Sequence, residues 1–554
     1  MSARSPLGAW TIAAAYVAAT LVFAHPLLPE LRTSIAADYG DSLFTAWIMA
    51  WVARHLTAVL HGDVGAWTAM WDLPIFAPEH GTLTYSEHFI GQTLQILPLT
   101  WVVDQPLLAF NVVFLATFAL TGLAAHLLTR HLSGSHWAGA VAGLTCMFSE
   151  YRVIWSSHLH MLSIHWWLLA LWAIDRFLAT RSRRALAGAT AALVMLHLSS
   201  NYLMAYCAPF TAAFAVWSLA RHDRLRDWTG WALLSAAGAG SVVMVLPLML
   251  RYLATRAALG VTRSTAEIAA NSATFDSYAR AWPWFGPLVV LAVVGAAATR
   301  RQADWPSRSA RLALLGFATM AVVLSFGPVV QVGQTPVPGP YGLLLAYVPG
   351  FAGLRVAERF SVIAFALCSV LAGFGAVWLG RWRAGAAAAV LATVLAIRPA
   401  FATPFVMNRE VMAAGQPPRP DYLRPGPTPP AIYRVARTLP PGAVLAEFPF
   451  GVLGYEILYS YFTLAHDHRT INGYSGVLPS SFLARVGRLH DPLAEPDRAW
   501  DALAPATHVI VHPAAWADDT GARIRMWLEA RGATVTVRAD GAWLYALPAR
   551  TSGK

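Results

Sequence analysis

The sequence predicts a mainly α, polytopic transmembrane bundle of about eleven spans, followed by a small α/β domain at the C-terminal end. Three observations predict it. Of 554 residues, 57% are hydrophobic and only 12% charged, about half the roughly 25% charge of an ordinary soluble domain. The apolar residues gather into long runs, with a mean hydropathy of +0.49 over the chain, and one span takes about 20 such residues. After residue 405 the composition changes: a Pro-rich stretch intervenes and the apolar runs become short.

That composition excludes a water-soluble globule, a disordered chain and a disulfide scaffold. Cys146, Cys207 and Cys368 all lie inside apolar runs, where a thiol behaves as a small core residue rather than as part of a zinc or disulfide framework. The net charge of +11 and pI of 9.8 do not describe a nucleic-acid binder. Lys554 is the sole lysine, and the arginines fall between apolar stretches, which is the pattern of topology signals. A nucleic-acid face would cluster arginine with exposed aromatics on one soluble module.

The first apolar run, 9–28, is long and lacks a small-residue cleavage site, so it reads as a span rather than a signal peptide. Further runs lie at 107–129, 137–151, 159–178, 185–200, 203–220, 229–250, 284–299, 309–330, 360–380 and 384–403. With Arg4 inside, alternate short loops carry Arg130, then Arg176, Arg181, Arg183 and Arg184, then Arg221, Arg224 and Arg226, then Arg300, Arg301, Arg308 and Arg311, then Arg381 and Arg383. The positive-inside rule makes those loops and the N-terminus cytoplasmic. An odd number of crossings then puts the tail outside. Arginine used almost to the exclusion of lysine fits a GC-rich bacterial genome, so the expected location is a bacterial cytoplasmic (inner) membrane.

The domain reading is a membrane part over 1–405 with a long first outer loop at 29–106, a Pro-rich linker at 406–430 and an extracytoplasmic α/β domain at 431–554. In the first loop Leu43, Phe44, Trp47, Ile48, Trp51 and His55 recur at helical spacing, as in a helix lying along a membrane surface. In the tail, 444–448, 508–512, 534–538 and 542–547 read as strands and 520–531 as a helix.

The candidate chemistry sits at the outer face. Asp38 and Asp41 directly precede the amphipathic stretch. A carboxylate there either takes a proton from an acceptor hydroxyl, or helps hold a divalent cation, or caps the helix that follows. Two Glu-His dipeptides, Glu79-His80 and Glu87-His88, lie eight apart around a Gly turn, with His158 and His160 further on. They read as substrate-binding or acid/base groups, or as ordinary polar loop residues, since neither dipeptide has zinc-motif spacing. Arg152, Arg355 and Arg359 stand at outer span ends, where topology disfavours arginine. The planar guanidinium fork grips phosphate, which suits a lipid-phosphate headgroup; pairing with Glu150 or Glu358, or snorkelling, is the plainer alternative. In the tail 447–451 and 472–476, with Tyr474, form a polar and aromatic stretch suited to a sugar or to domain packing.

One span, an acidic outer loop with a helix, many further spans and an outer C-terminal domain resemble the GT-C superfamily of integral-membrane glycosyltransferases. Gly40-Asp41-Ser42-Leu43-Phe44 with Trp47 and Trp51, Gly327-Pro328, Pro338-Gly339-Pro340-Tyr341, 355–360, 447–451 and 472–476 look like a group of bacterial multi-span proteins described as candidate glycosyltransferases. The resemblance implies transfer of a sugar from a polyprenyl-phosphate donor to an outer-face glycan, lipid or protein. It assigns the base, or a group binding a magnesium or manganese ion, to Asp41 with Asp38 as partner. Many relatives carry adjacent acids or Asp-x-Asp, whereas here two residues separate Asp38 from Asp41. The rival expectation is a non-catalytic scaffold, or a transporter of lipid-linked or polar cargo. Transport fits less well, because the span middles are nearly free of charge and no matching halves with interrupted helices stand out.

Overall fold

The computed structural model describes residues 6–260, 262–298, 306–333, 335–348, 350–412, 416 and 419–549. Arg4, Arg300, Arg301, Pro417 and Pro418 of the sequence reading lie outside the described residues. The chain forms two compact units. One takes the residues up to Leu28 together with Phe114–Phe405; the other takes Pro29–Val113 together with the chain from Val406 onward. The long first loop thus shares a unit with the C-terminal tail.

Among the described residues nine helices are long and apolar enough to cross a membrane by length and composition. Eight of them match expected runs and the ninth is Asp41–Leu60, expected as a surface helix, so three of the eleven expected spans are not among them. The run at 137–151 forms a helix of only 12 residues, His136–Met147, about 18 Å at 1.5 Å per residue against a hydrocarbon core of about 30 Å. The run at 185–200 forms a 17-residue helix, Arg183–Ser199. The first run forms the 18-residue helix Pro6–Phe23. The His136–Met147 helix is mostly buried, and a helix buried among other helices is as apolar as one facing lipid.

Close backbone approach holds the first unit together. A methyl group on Gly295 would strike the Leu371 carbonyl, and one on Gly375 the Leu291 carbonyl. The helices Phe275–Ala297 and Ser361–Leu379 therefore touch main chain to main chain, the small-residue packing that replaces the hydrophobic effect inside lipid.

The second unit is built on a five-stranded sheet. From edge to edge its strands are Arg469–Thr470, Val444–Phe448, His508–Val511, Ala542–Ala546 and Thr534–Ala539. The first three run parallel, with Leu445 opposite both Thr470 and His508, and the last two are antiparallel. The first loop is sewn to the sheet's edge. Phe76 and Ala77 donate their amides to the carbonyls of Asn472 and Thr470, each at 2.9 Å, and Thr470 donates back to Pro74 at 2.9 Å.

The amphipathic stretch becomes the helix Asp41–Leu60. It packs within this unit against the helices Leu453–His466, Ile90–Thr100 and Gly65–Ala69. Trp47 is fully buried, and its indole donates to Thr463 Oγ1 at 2.9 Å. Helical spacing reveals an apolar face but not what covers it.

Candidate active site

The site begins with two segments that lie side by side. Residues 35–39 exchange backbone hydrogen bonds with 406–409: Ala37 N–H to Val406 O at 2.9 Å, Arg409 N–H to Ala37 O at 3.1 Å and Tyr39 N–H to Arg409 O at 2.9 Å. Asn408 Oδ1 accepts from Ile35 N–H at 2.9 Å and Asn111 Oδ1 from Ala36 N–H at 3.0 Å. These bonds bring Arg409 beside Asp38.

Asp38 is only 4% exposed. Its Oδ1 accepts from Gly40 N–H at 3.0 Å and from Ser42 N–H at 3.3 Å, and its Oδ2 from Arg409 Nη2 at 3.0 Å. It therefore satisfies free amides at the start of the Asp41–Leu60 helix, the work of an N-cap. The formal N-cap, Gly40, has no side chain to do so; a methyl there would come within 2.9 Å of Val411. Asp41 is thereby relieved of capping. It is the first residue of the helix, and its Oδ1 accepts the Tyr474 hydroxyl at 3.1 Å. The helix N-terminus favours its negative charge.

Asp41 and Tyr474 open onto a cavity of about 380 Å³, with Arg409 and Glu410 on its polar side and Leu453 and Ile457 on its apolar side. Glu410 is paired with Arg419 at 2.8 Å. Each carboxylate of the lining thus has a defined partner: an arginine for Asp38 and for Glu410, a phenol for Asp41. Among the described residues no three His, Cys, Asp or Glu are placed to hold a metal ion. A divalent cation held by Asp38 and Asp41 finds no third carboxylate, His or Cys among the described residues, and the Arg409 guanidinium on Asp38 Oδ2 already supplies a positive charge there.

Behind the cavity the motif residues 447–451 and 472–476 form one buried network. Glu447 Oε2 accepts from the Tyr433 hydroxyl at 2.7 Å and lies 3.1 Å from His512 Nε2. Asn472 Oδ1 accepts from Glu447 N–H at 2.7 Å, and its Nδ2 donates to Glu447 O at 3.1 Å and to Glu456 Oε1 at 3.0 Å. Glu456 also accepts from Gly451 N–H at 2.6 Å and Gly473 N–H at 2.7 Å. Burial pushes the Glu456 carboxyl up to about 8, against the opposing pull of those donors.

The other expected residues are spread out. Glu79 Oε1 accepts from Ser481 Oγ at 2.6 Å, and exposed His80 lies 3.4 Å from Asp72. Glu87 is buried; so is His88, whose Nδ1 accepts from Ile90 N–H at 3.1 Å at the start of the Ile90–Thr100 helix. Burial pulls His88 down to about 4, so the ring is neutral at physiological pH. None of these four lines the Asp41 cavity.

In the first unit Arg152 is buried, and its guanidinium donates to Met147 O at 3.2 Å, Leu162 O at 2.7 Å and Thr117 O at 3.1 Å. Those carbonyls hold the guanidinium expected to bind phosphate within the helix packing of this unit. Arg359 is 9% exposed and lies 4.1 Å over the Tyr202 ring. Arg355 is exposed. His158 caps no helix with its side chain and sits against the Trp155 ring at 5.3 Å.

Sequence reasoning missed Arg409, Glu410, Leu453 and Ile457. The partnership of Arg409 with Asp38 spans 371 positions, and neither residue carries a local signal of the other.

No family model matches the sequence, and no curated protein matches it. Among solved structures, the arabinofuranosyltransferase AftD from Mycobacteria is similar over 99% of this chain, with a TM-score of 0.54 and 13% identity. The chain spans 42% of that protein's length. ArnT from Cupriavidus metallidurans in the apo state is similar over 98% of both chains, with a TM-score of 0.41 and 14% identity. The likeness to AftD shows a shared fold.

Proposed function

We propose that the protein is a GT-C-type glycosyltransferase of a bacterial cytoplasmic membrane. It moves a sugar from a polyprenyl-phosphate donor to a glycan, lipid or protein on the outer face. The observation that carries this reading is the division of labour between Asp38 and Asp41: one caps and pairs, and the other is left at a cavity with a hydroxyl donor beside it.

In the reaction Asp41 takes the proton from the acceptor hydroxyl. The oxygen attacks the anomeric carbon from the face opposite the phosphate, the C–O bond to phosphate breaks, and the polyprenyl phosphate leaves with that electron pair, inverting the centre. General-base catalysis of this kind contributes roughly 10²–10⁴-fold. Within the first unit, Arg355 and Arg359 are proposed, separately from the Asp41 cavity, as groups that bind a lipid phosphate, for which a planar guanidinium is suited. The N-terminus is taken as cytoplasmic and 431–554 as an outer domain beyond a linker at 406–430, following the arginine-rich loops.

Membranes containing the protein, supplied with polyprenyl-phosphate sugars, test this. Asp41→Asn is expected to insert and fold but to lose transfer; full activity in that variant removes Asp41 from the mechanism. Arg359→Ala is expected to raise the apparent donor KM about tenfold or more, the scale of one charge-assisted phosphate contact, and an unchanged KM assigns Arg359 to packing on Tyr202.

A further inference from the structure

The Tyr474 hydroxyl that meets Asp41 belongs to a loop with little regular structure of its own, and something must fix it. Gly473, its neighbour, is held from two sides. On one side a methyl group would meet Ile75 Cβ and the Phe76 ring, each at 2.8 Å. On the other, Gly473 N–H donates to Glu456 Oε2 at 2.7 Å. The same carboxylate takes Asn472 Nδ2 at 3.0 Å and Gly451 N–H at 2.6 Å. Three donors from two loops converge on one side chain that is 3% exposed. Glu456 sits in the first turn of the helix Leu453–His466, whose Leu453 and Ile457 form the cavity's apolar wall. The ring of Tyr474 is then steadied edge-on by Phe44, at 5.0 Å and 78°, one helical turn beyond Asp41.

We propose that Glu456 is a positioning residue: by gripping the Gly473 and Asn472 groups it sets the Tyr474 hydroxyl against Asp41, although it touches neither Asp41 nor the cavity. A phenol donating to a carboxylate fixes its orientation and stabilises its charged form. Its catalytic meaning rests on the Asp41 reading above; the positional link does not. Glu456→Gln keeps the size of the side chain but replaces one acceptor oxygen with an NH₂ group, so at least one of the three donors loses its partner.

The test places 3-fluorotyrosine at position 474 of the full chain in detergent and reads its ¹⁹F resonance, which needs no sugar donor and is therefore independent of whether glycosyl transfer is found. Asp41→Asn supplies the shift for an altered phenol–carboxylate contact. Glu456→Gln is expected to move the resonance in the same direction by at least half as much. Leu544→Ala, a fully buried change on another strand of the sheet, is expected to lower the melting temperature and leave the resonance in place. A wild-type resonance in Glu456→Gln overturns the proposal, as does an equal shift in Leu544→Ala, which would make the effect one of general loosening. Should Glu456→Gln fail to fold, Glu456→Asp, which keeps the carboxyl group but shortens the reach, is read by the same criteria.

Discussion

At the start of the Asp41–Leu60 helix two aspartates three positions apart meet opposite surroundings. Asp38 is enclosed by two amides and a guanidinium, and Asp41 by a phenol at the edge of a cavity. Asp38→Ala is expected to lower the stability of the purified protein by about 1–2 kcal/mol through the lost cap. Asp38→Asn, which still accepts the amide bonds, is expected to cost under about 1 kcal/mol, since Arg409 is 59% exposed and a screened pair is worth little. Asp41→Asn is expected to cost less than Asp38→Ala, under about 1 kcal/mol, the worth of a negative charge at a helix N-terminus. Thermal unfolding of the three variants checks this, and equal losses for Asp38→Asn and Asp38→Ala would shift the weight from cap to ion pair. This division was not legible in the sequence. Any Asp ahead of an apolar periodic run reads as a cap, and only the fold shows which carboxylate the amides reach.

At the scale of elements, the tail's strands were legible because each carries its own pattern. The stretch 444–448 is a strand with those same limits, and 534–538 and 520–531 fall within a residue or two of the strand Thr534–Ala539 and the helix Thr520–Ala530. What could not be read is pairing at a distance: 35–39 with 406–409, and 74–77 with 470–472, joined by backbone bonds that leave no mark in side-chain identity. Span packing is intermediate, since small residues are visible but their contacts are not. Gly295→Ala is expected to destabilise the first unit by about 1–3 kcal/mol, the range for overpacking, because its methyl meets the Leu371 carbonyl. Gly238→Ala, where a methyl meets nothing within 4 Å among the described residues, is expected to be neutral or slightly stabilising. Melting of the detergent-solubilised variants tests the contrast, and equal behaviour would deny that Gly295 is a point of main-chain contact.

For the whole molecule, composition alone gave the membrane class, and the fold agrees with it in being mainly helical with a small sheet in the unit that holds the tail. The span count departs from the expected eleven in part because a buried helix such as His136–Met147 is as apolar as one facing lipid. The grouping of the first loop with the tail, which builds the Asp41 cavity from residues 38 to 474, is a property of the fold that no local window contains. The central claim, that this fold carries a working glycosyltransferase with Asp41 at its centre, is tested most directly by mass spectrometry of lipid-linked and envelope glycans. The comparison is between cells with the wild-type protein, with Asp41→Asn at equal expression, and with neither. The account predicts a glycan mass shift that appears with the wild type alone and whose size names the transferred sugar. A glycan profile identical in all three, or one that Asp41→Asn restores fully, would contradict it and favour a scaffold or transporter.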